Sequence, residues 1–150
     1  MKKTEQKYQT YVQILKEELI PAMGCTEPIS LAYGASLARK VLNHLPTKIV
    51  VEASGSIIKN VKSVIVPNTG GLKGIEAAAA AGIAAGDASR ILEVIAGVTE
   101  EQKAEIKAYL QNAEISVRPL ETDEILDMVV TVSGGGSCVK VRIAGYHTNI

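Results

Sequence analysis

The chain has 150 residues, 47% hydrophobic and 21% charged, which suits one soluble domain whose core needs no disulfide staples. Sixteen basic residues balance sixteen acidic ones, so there is no electrostatic footprint for nucleic acid, and the missing net repulsion leaves a homo-oligomer open. Two cysteines do not make a disulfide framework, and the polar start MKKTEQKYQTY lacks the apolar stretch of a signal peptide, so the cytoplasm is the expected location.

Phe and Trp are absent, so Ile, Val, Leu, Ala and some of the five Tyr must fill the core. Tyr8, Tyr11, Val12, Leu15 and Leu19 recur at three and four and predict a first helix, with Pro21 ending it. A second helix opens at Thr26-Glu27-Pro28, with Thr as a favoured N-cap, and stops around Asn43–Pro46. Ile49–Val51 and the run from Val61 to Val66 read as β-branched strands, with Lys59-Asn60 in a polar turn between them. Asn68-Thr69-Gly70-Gly71 is a turn.

The alanine-rich stretch Ile75–Gly86 is too short to span a bilayer, which takes about 20 apolar residues, and it carries Glu76. It reads as a buried helix. Ala78, Gly82 and Gly86 line one face, which lets another element approach closely and makes this helix central. Ser89 to Ala96 predicts a short helix, and Thr99-Glu100-Glu101 caps another running to Asn112. Glu114–Val117, Met128–Val132 and Cys138–Ile143 read as strands, the last two joined by a loose hairpin over 133–137. The expected fold is α+β, a mostly antiparallel sheet packed with helices, in one domain over residues 1–150.

Several side chains could carry chemistry. Cys25 follows Gly24 at a helix start, where free amides and the helix dipole favour a thiolate; the alternative is a buried structural cysteine. No second thiol lies near it in sequence, since Cys138 is more than a hundred residues away. Glu27 suits either general acid–base work or simple complementation of the helix dipole. His44 closes the second helix, and His147 sits among Tyr146, Thr148 and Asn149. The turn Asn68–Gly74 is a weak anion-nest pattern that does not match a phosphate-binding P-loop.

Pro21-Ala-Met-Gly-Cys-Thr-Glu-Pro28, Lys59-Asn60, the turn from Val66 to Gly71 with its Ala/Gly helix, and His147-Thr-Asn149 together resemble the L-cysteine desulfidases, relatives of the iron–sulfur L-serine dehydratase α chain. The resemblance implies β-elimination of a small amino acid, L-cysteine to sulfide, ammonia and pyruvate, by a carbon–sulfur lyase. It implies a 4Fe-4S cluster held by three cysteines, with Cys25 as the first. By the same resemblance Glu27, Lys59 and His147 are catalytic candidates, and Thr26, Asn60 and Asn149 substrate-binding ones. Family members run to several hundred residues and place their other cluster cysteines later. The chain therefore reads as the amino-terminal portion, inactive and without a cluster until a carboxy-terminal segment completes it. The competing readings are an L-serine dehydratase-type lyase, or a non-enzymatic small-ligand-binding or assembly domain.

Overall fold

The computed structural model describes residue 2, residues 5–19 and residues 24–150. The expected helix stop at Pro21 and the link through Ala22 and Met23 lie outside the described residues.

Helix α1 spans Gln6–Glu18 and α2 spans Thr26–Leu42. Strand β1 (Lys48–Ala53) follows, then helices α3 (Gly55–Val61) and α4 (Gly74–Ala85), a 3₁₀ helix (Ala88–Glu93), and α5 (Glu100–Asn112). Strands β2 (Glu114–Pro119), β3 (Asp127–Gly134) and β4 (Ser137–Ala144) complete the sheet. The sheet order is β2-β1-β3-β4; β1 and β2 run parallel, and the other two pairs are antiparallel. The fold is α+β, as the alternation of helical and strand-like runs indicates.

One face of the sheet makes the core. Ile49, Val51 and Ala53 pair with Val132, Val130 and Met128, which in turn pair with Val139, Val141 and Ile143. Ile115 and Val117 extend this apolar face on the parallel edge. The opposite face presents Lys48, Glu52, Glu114, Arg118, Lys140 and Arg142, so β1 and β4 alternate as half-buried strands should, whereas the start of β3 is buried on both faces, with Asp127 and Val129 on the outer one. Helix α2 covers β3 and β4, and α4 lies against α2 with α5 on its other side.

The alanine-rich helix is central for the reason its composition suggests. Every residue from Ala77 to Ile83 is buried. At Gly82 an added Cβ would sit 2.1 Å from the Ala32 carbonyl oxygen of α2, so only glycine permits the crossing. Arg39 of α2 reinforces it by donating to the Ile83 carbonyl at 2.6 Å. The predicted cap of α5 is complete: Thr99 accepts from the Gln102 amide, and Gln102 accepts from the Thr99 amide.

Three expectations need correction. The run from Val61 to Val66 is no strand; Ile57 and Val61 bury one side of α3, and the extended remainder reduces to a single bridge between Ile65 and Lys73. Of that run only Val61 belongs to the helix, where it and Ile57, four residues before it, meet the core. Lys59-Asn60 consequently lies on α3, not in a turn. The helix expected over 89–96 is 3₁₀ and is broken at Ile91, whose φ of 54° is a strained value for a β-branched residue.

Candidate functional site

The site begins at the mouth of α2. Cys25, not Thr26, is the N-cap residue, with extended backbone and no side-chain capping bond, and Thr26 is the first helical residue. Gly24 delivers the chain to this point with φ of +98°, and an added Cβ there would lie 3.1 Å from Pro67. Glycine is needed both for the left-handed conformation and for the close approach to the 66–71 turn. Cys25 is exposed, which removes the buried structural alternative.

Glu27 is the hub. Its Oε1 accepts a hydrogen bond from the Asn60 side-chain amide at 3.2 Å, and its Oε2 lies 3.9 Å from the Cys25 sulfur. One carboxylate oxygen is thus fixed by α3, and the other faces a thiol. Three of the residues singled out in the sequence, Cys25, Glu27 and Asn60, come together from two helices and 36 positions of chain. Lys59 is the neighbour of Asn60 on α3; it is exposed, and among the described residues its ammonium makes no hydrogen bond or ion pair. Thr26 is half-buried beside Cys25.

The tail reaches the same end of the molecule. The Ser30 hydroxyl, one turn into α2, donates to the His147 carbonyl at 2.6 Å, so His147 is fastened here by its backbone. Asn149 turns back on β4: its side-chain amide donates to the Ala144 carbonyl at 2.7 Å, and its own carbonyl accepts from the Ala144 amide. Its polar atoms therefore close the final turn.

The turn that abuts Gly24 is itself held firmly. Asn68, at φ 57°, donates its side-chain amide towards the Ile95, Ala96 and Val98 carbonyls at 2.9–3.3 Å. Buried Thr69 accepts from the Leu72 amide and donates to the Val66 carbonyl. Gly70 and Gly71 are left exposed at its tip with positive φ.

Two polar residues here were not singled out in the sequence. Ser30 announces itself as a fully buried hydroxyl between Ile29 and Leu31, and a buried hydroxyl needs a partner. Asp127 opens the apolar strand β3, is fully buried, and takes a bidentate grip from Arg142 at 2.9 and 2.6 Å with Thr122 added at 2.7 Å. Hydrogen bonds from Arg142 hold its carboxyl below the usual carboxylate range, against the opposing effect of burial. Both residues brace the site end from behind.

The thiols do not converge. Cys138 pairs with Ser133 on the outer face of the sheet, and the neighbouring hairpin packs against His44, past the far end of α2. The 17 residues of that helix put about 25 Å between the two ends. Among the described residues no group of three or more His, Cys, Asp or Glu is placed to hold a metal ion. Cys25 fits the role of a single ligand; the residues present do not fit a whole 4Fe-4S cluster. Two cavities lie elsewhere, about 280 Å³ beside Arg39, Lys40 and Asp87, and about 230 Å³ beside Pro46 and Tyr109. No described helix is long and apolar enough to cross a membrane.

With the site defined, its relatives can be placed. The chain is similar to UPF0597 proteins. It is 57% identical over 150 residues to one from Desulfitobacterium hafniense, which covers all of this chain and 35% of the relative. Against one from Finegoldia magna it is 52% identical over 141 residues, 93% of this chain and 34% of the relative, and against one from Treponema denticola 46% over 144 residues, 96% and 33%. The chain spans about a third of the length of the curated relatives it matches. No family model matches the sequence, and no solved structure matches the fold. The family resemblance is corrected accordingly: the relatives found are UPF0597 proteins, and none of those named here is an L-cysteine desulfidase or a serine dehydratase α chain.

Proposed function

We propose that this chain supplies part of the active site of a lyase that removes a β-substituent from a small amino acid, L-cysteine first, with polypeptide outside the chain completing the site. The observation that supports this reading is the Cys25–Glu27–Asn60 cluster at the mouth of α2. A carboxylate held on one side by an amide keeps its other oxygen available to accept a proton. In β-elimination a base takes the α-proton, the electron pair forms the Cα–Cβ double bond, and the Cβ–S bond breaks to release hydrosulfide. The resulting aminoacrylate tautomerises and hydrolyses to pyruvate and ammonia in water. Glu27 is the base of choice, being the one catalytic candidate whose side chain the fold sets against Cys25. Lys59 is suited to hold the substrate carboxylate.

Cys25 then has one of two uses. It is a single thiolate ligand of a 4Fe-4S cluster whose other cysteines lie outside this chain, or it is a polar group of the substrate pocket. Because the chain cannot hold a cluster by itself, no step is drawn through one.

The test joins the chain to the unmatched two thirds of the Desulfitobacterium hafniense relative and follows sulfide, ammonia and pyruvate from L-cysteine and from L-serine, after anaerobic reconstitution with iron and sulfide. Expected are turnover by the joined protein, none by the chain alone, and loss of at least a hundredfold in Glu27→Gln and Cys25→Ala. A joined protein that releases none of these products refutes the lyase, and a stoichiometric 4Fe-4S spectrum from the chain alone refutes the shared cluster. A second reading, an assembly domain without chemistry, is favoured by the exposed apolar side chains around the same end.

A further inference from the structure

The end that carries Cys25 also carries large apolar side chains left open to solvent. Ile125 is 76% exposed, Tyr146 59%, Ile150 57% and Ile65 54%. Their common location follows from the hydrogen bonds. The Ile125 carbonyl accepts from the hydroxyl of Ser54, the N-cap of α3, and the Gly145 amide donates to the neighbouring Leu126 carbonyl. That bond brings Tyr146 beside the 120–126 loop, while the next residue, His147, is tied to Ser30 of α2. Ile65 lies on the loop that leaves α3, on the same stretch of chain as Pro67, which meets Gly24.

Helix α1 adds to this. Of the apolar stripe that predicts the helix, Tyr11, Leu15 and Leu19 are 48%, 53% and 73% exposed, and Ile14 beside them is 47% exposed, while Tyr8 and Val12 are half-buried. A free helix of 13 residues is marginal in water, because packing of an apolar face supplies most helix stability. By contrast the outer sheet face carries mostly charges, and Val41, Leu45 and Ile91 are the large exposed apolar side chains found elsewhere among the described residues, so most of the uncovered apolar surface lies at this end and on α1.

We propose that this end of the molecule, with α1, is the docking surface for the polypeptide that makes up the other two thirds of the UPF0597 relatives. Length argues for that occupant. All 150 residues here correspond to 35% of the Desulfitobacterium hafniense relative, so roughly twice as much chain in that protein lies outside the match and must pack against something. A second copy of this chain is the poorer occupant. The α1 stripe from Tyr8 to Leu19 is under two heptads, short for a self-standing coiled coil. The inference goes beyond the lyase reading and does not depend on what Cys25 binds.

The test co-expresses the chain with the unmatched two thirds of that relative as a separate, tagged polypeptide. A one-to-one complex is expected, with hydrogen exchange slowed over 6–19, 62–67, 120–126 and 144–150 and unchanged in the 134–137 hairpin. Ile125→Arg and Tyr146→Arg, both at exposed positions, weaken the complex at least tenfold, whereas Val41→Arg, 64% exposed near the other end of α2, does not. In a single fused polypeptide the first two substitutions lower the melting temperature, although each leaves that of the isolated chain unchanged. A complex indifferent to both, slowed exchange confined to the hairpin and outer sheet face, or a homodimer of the chain that Ile125→Arg dissolves overturns the proposal. So does the lack of any complex together with a fused protein whose melting is unmoved by both. A docking failure would leave the sulfide assay on the fused protein free to succeed, so the two ideas fail separately.

Discussion

Gly82 is where the packing of this fold is most exposed to a single methyl group. In Gly82→Ala the new Cβ falls 2.1 Å from the Ala32 carbonyl oxygen, 2.8 Å from its carbon and 2.9 Å from its Cα. All three are α2 backbone, so no side chain can swing aside. Restoring an ordinary 3.4 Å contact needs the helices to part by about 1.3 Å at the crossing, the difference between 2.1 and 3.4 Å. A gap of roughly 0.5–1 Å already forfeits about a quarter to a half of the dispersion attraction between the atoms lining it. The substitution also gains about 1 kcal/mol of helix propensity. Overpacking a core costs about 1–3 kcal/mol when side chains can yield, and here backbone must, so the net loss should reach about 2–4 kcal/mol. With a urea m-value of about 2 kcal/mol/M, mid-range for a small protein, the unfolding midpoint should fall by about 1–2 M. Far-UV circular dichroism during urea unfolding measures this. Gly55→Ala is the control: nothing lies within 4 Å of its Cβ and its φ is ordinary, so its midpoint should hold or rise slightly. A Gly82→Ala midpoint at or above that of the parent, with m unchanged, would refute the close crossing of α2 and α4.

Two further predictions concern the turn beside the site and the pH dependence of stability. Asn68→Ala removes a donor shared among three carbonyls and leaves a Cβ at φ 57°, so a loss of about 2–3 kcal/mol is expected by urea unfolding. Asn68→Gly should recover about 1 kcal/mol of that, and two variants equal to the parent would show that the turn is not held this way. The second prediction is for pH. Hydrogen bonds from Arg142 depress the Asp127 carboxyl, so its contribution is complete above the unfolded carboxylate range and is lost as pH falls through the lower folded value. Tyr109 behaves oppositely at the alkaline end. Burial pushes its hydroxyl, which donates to the Pro46 carbonyl, up to about 12. The unfolded chain then binds fewer protons from about pH 10 upward, and stability falls as pH rises through that window. Stability measured against pH should show a shallower acid slope in Asp127→Asn, the remainder including Asp87, which Ser89 also holds low, and a shallower alkaline slope in Tyr109→Phe; slopes identical to the parent's would contradict these assignments.

The parts of the fold legible in the sequence are those where one local rule decides. The capping box at Thr99, the small-residue face of α4 and the alternation in β4 each follow from a pattern within a few residues. Strand propensity failed over Val61–Val66 because burial alongside Ile57 assigns Val61 to a helix face, and the residues after it find a ladder partner only in the single Ile65–Lys73 bridge. Of the site, Cys25 and Glu27 were readable as neighbours on a helix start. That Asn60 completes the cluster was not, since it depends on α3 being a helix that turns the amide towards Glu27. The outward direction of Cys138 could be read from its alternation with Val139, but its distance from Cys25 required the sheet order.

The sheet order also explains why polar cluster and apolar rim share one end. Strand β1 leads to that end, β3 starts from it and β4 returns to it, so the connections after β1, before β3 and after β4 gather there. The same end receives the start of α2, because Ser30 is bonded to the residue that follows Tyr146. Core packing fixes the spacing of Cys25, Glu27 and Asn60 from beneath, through buried Pro28, Ile29, Ile57 and Val61. Among the described residues only exposed side chains lie above them, so on the proposed lyase reading the half that excludes water is supplied by polypeptide outside the described residues. Silence in an activity assay on the isolated chain would thus say little about Glu27. The informative order is to establish the docked partner through Ile125 and Tyr146 first, and then to test Glu27→Gln inside the assembled protein. There the loss of a base and the loss of an interface give different results.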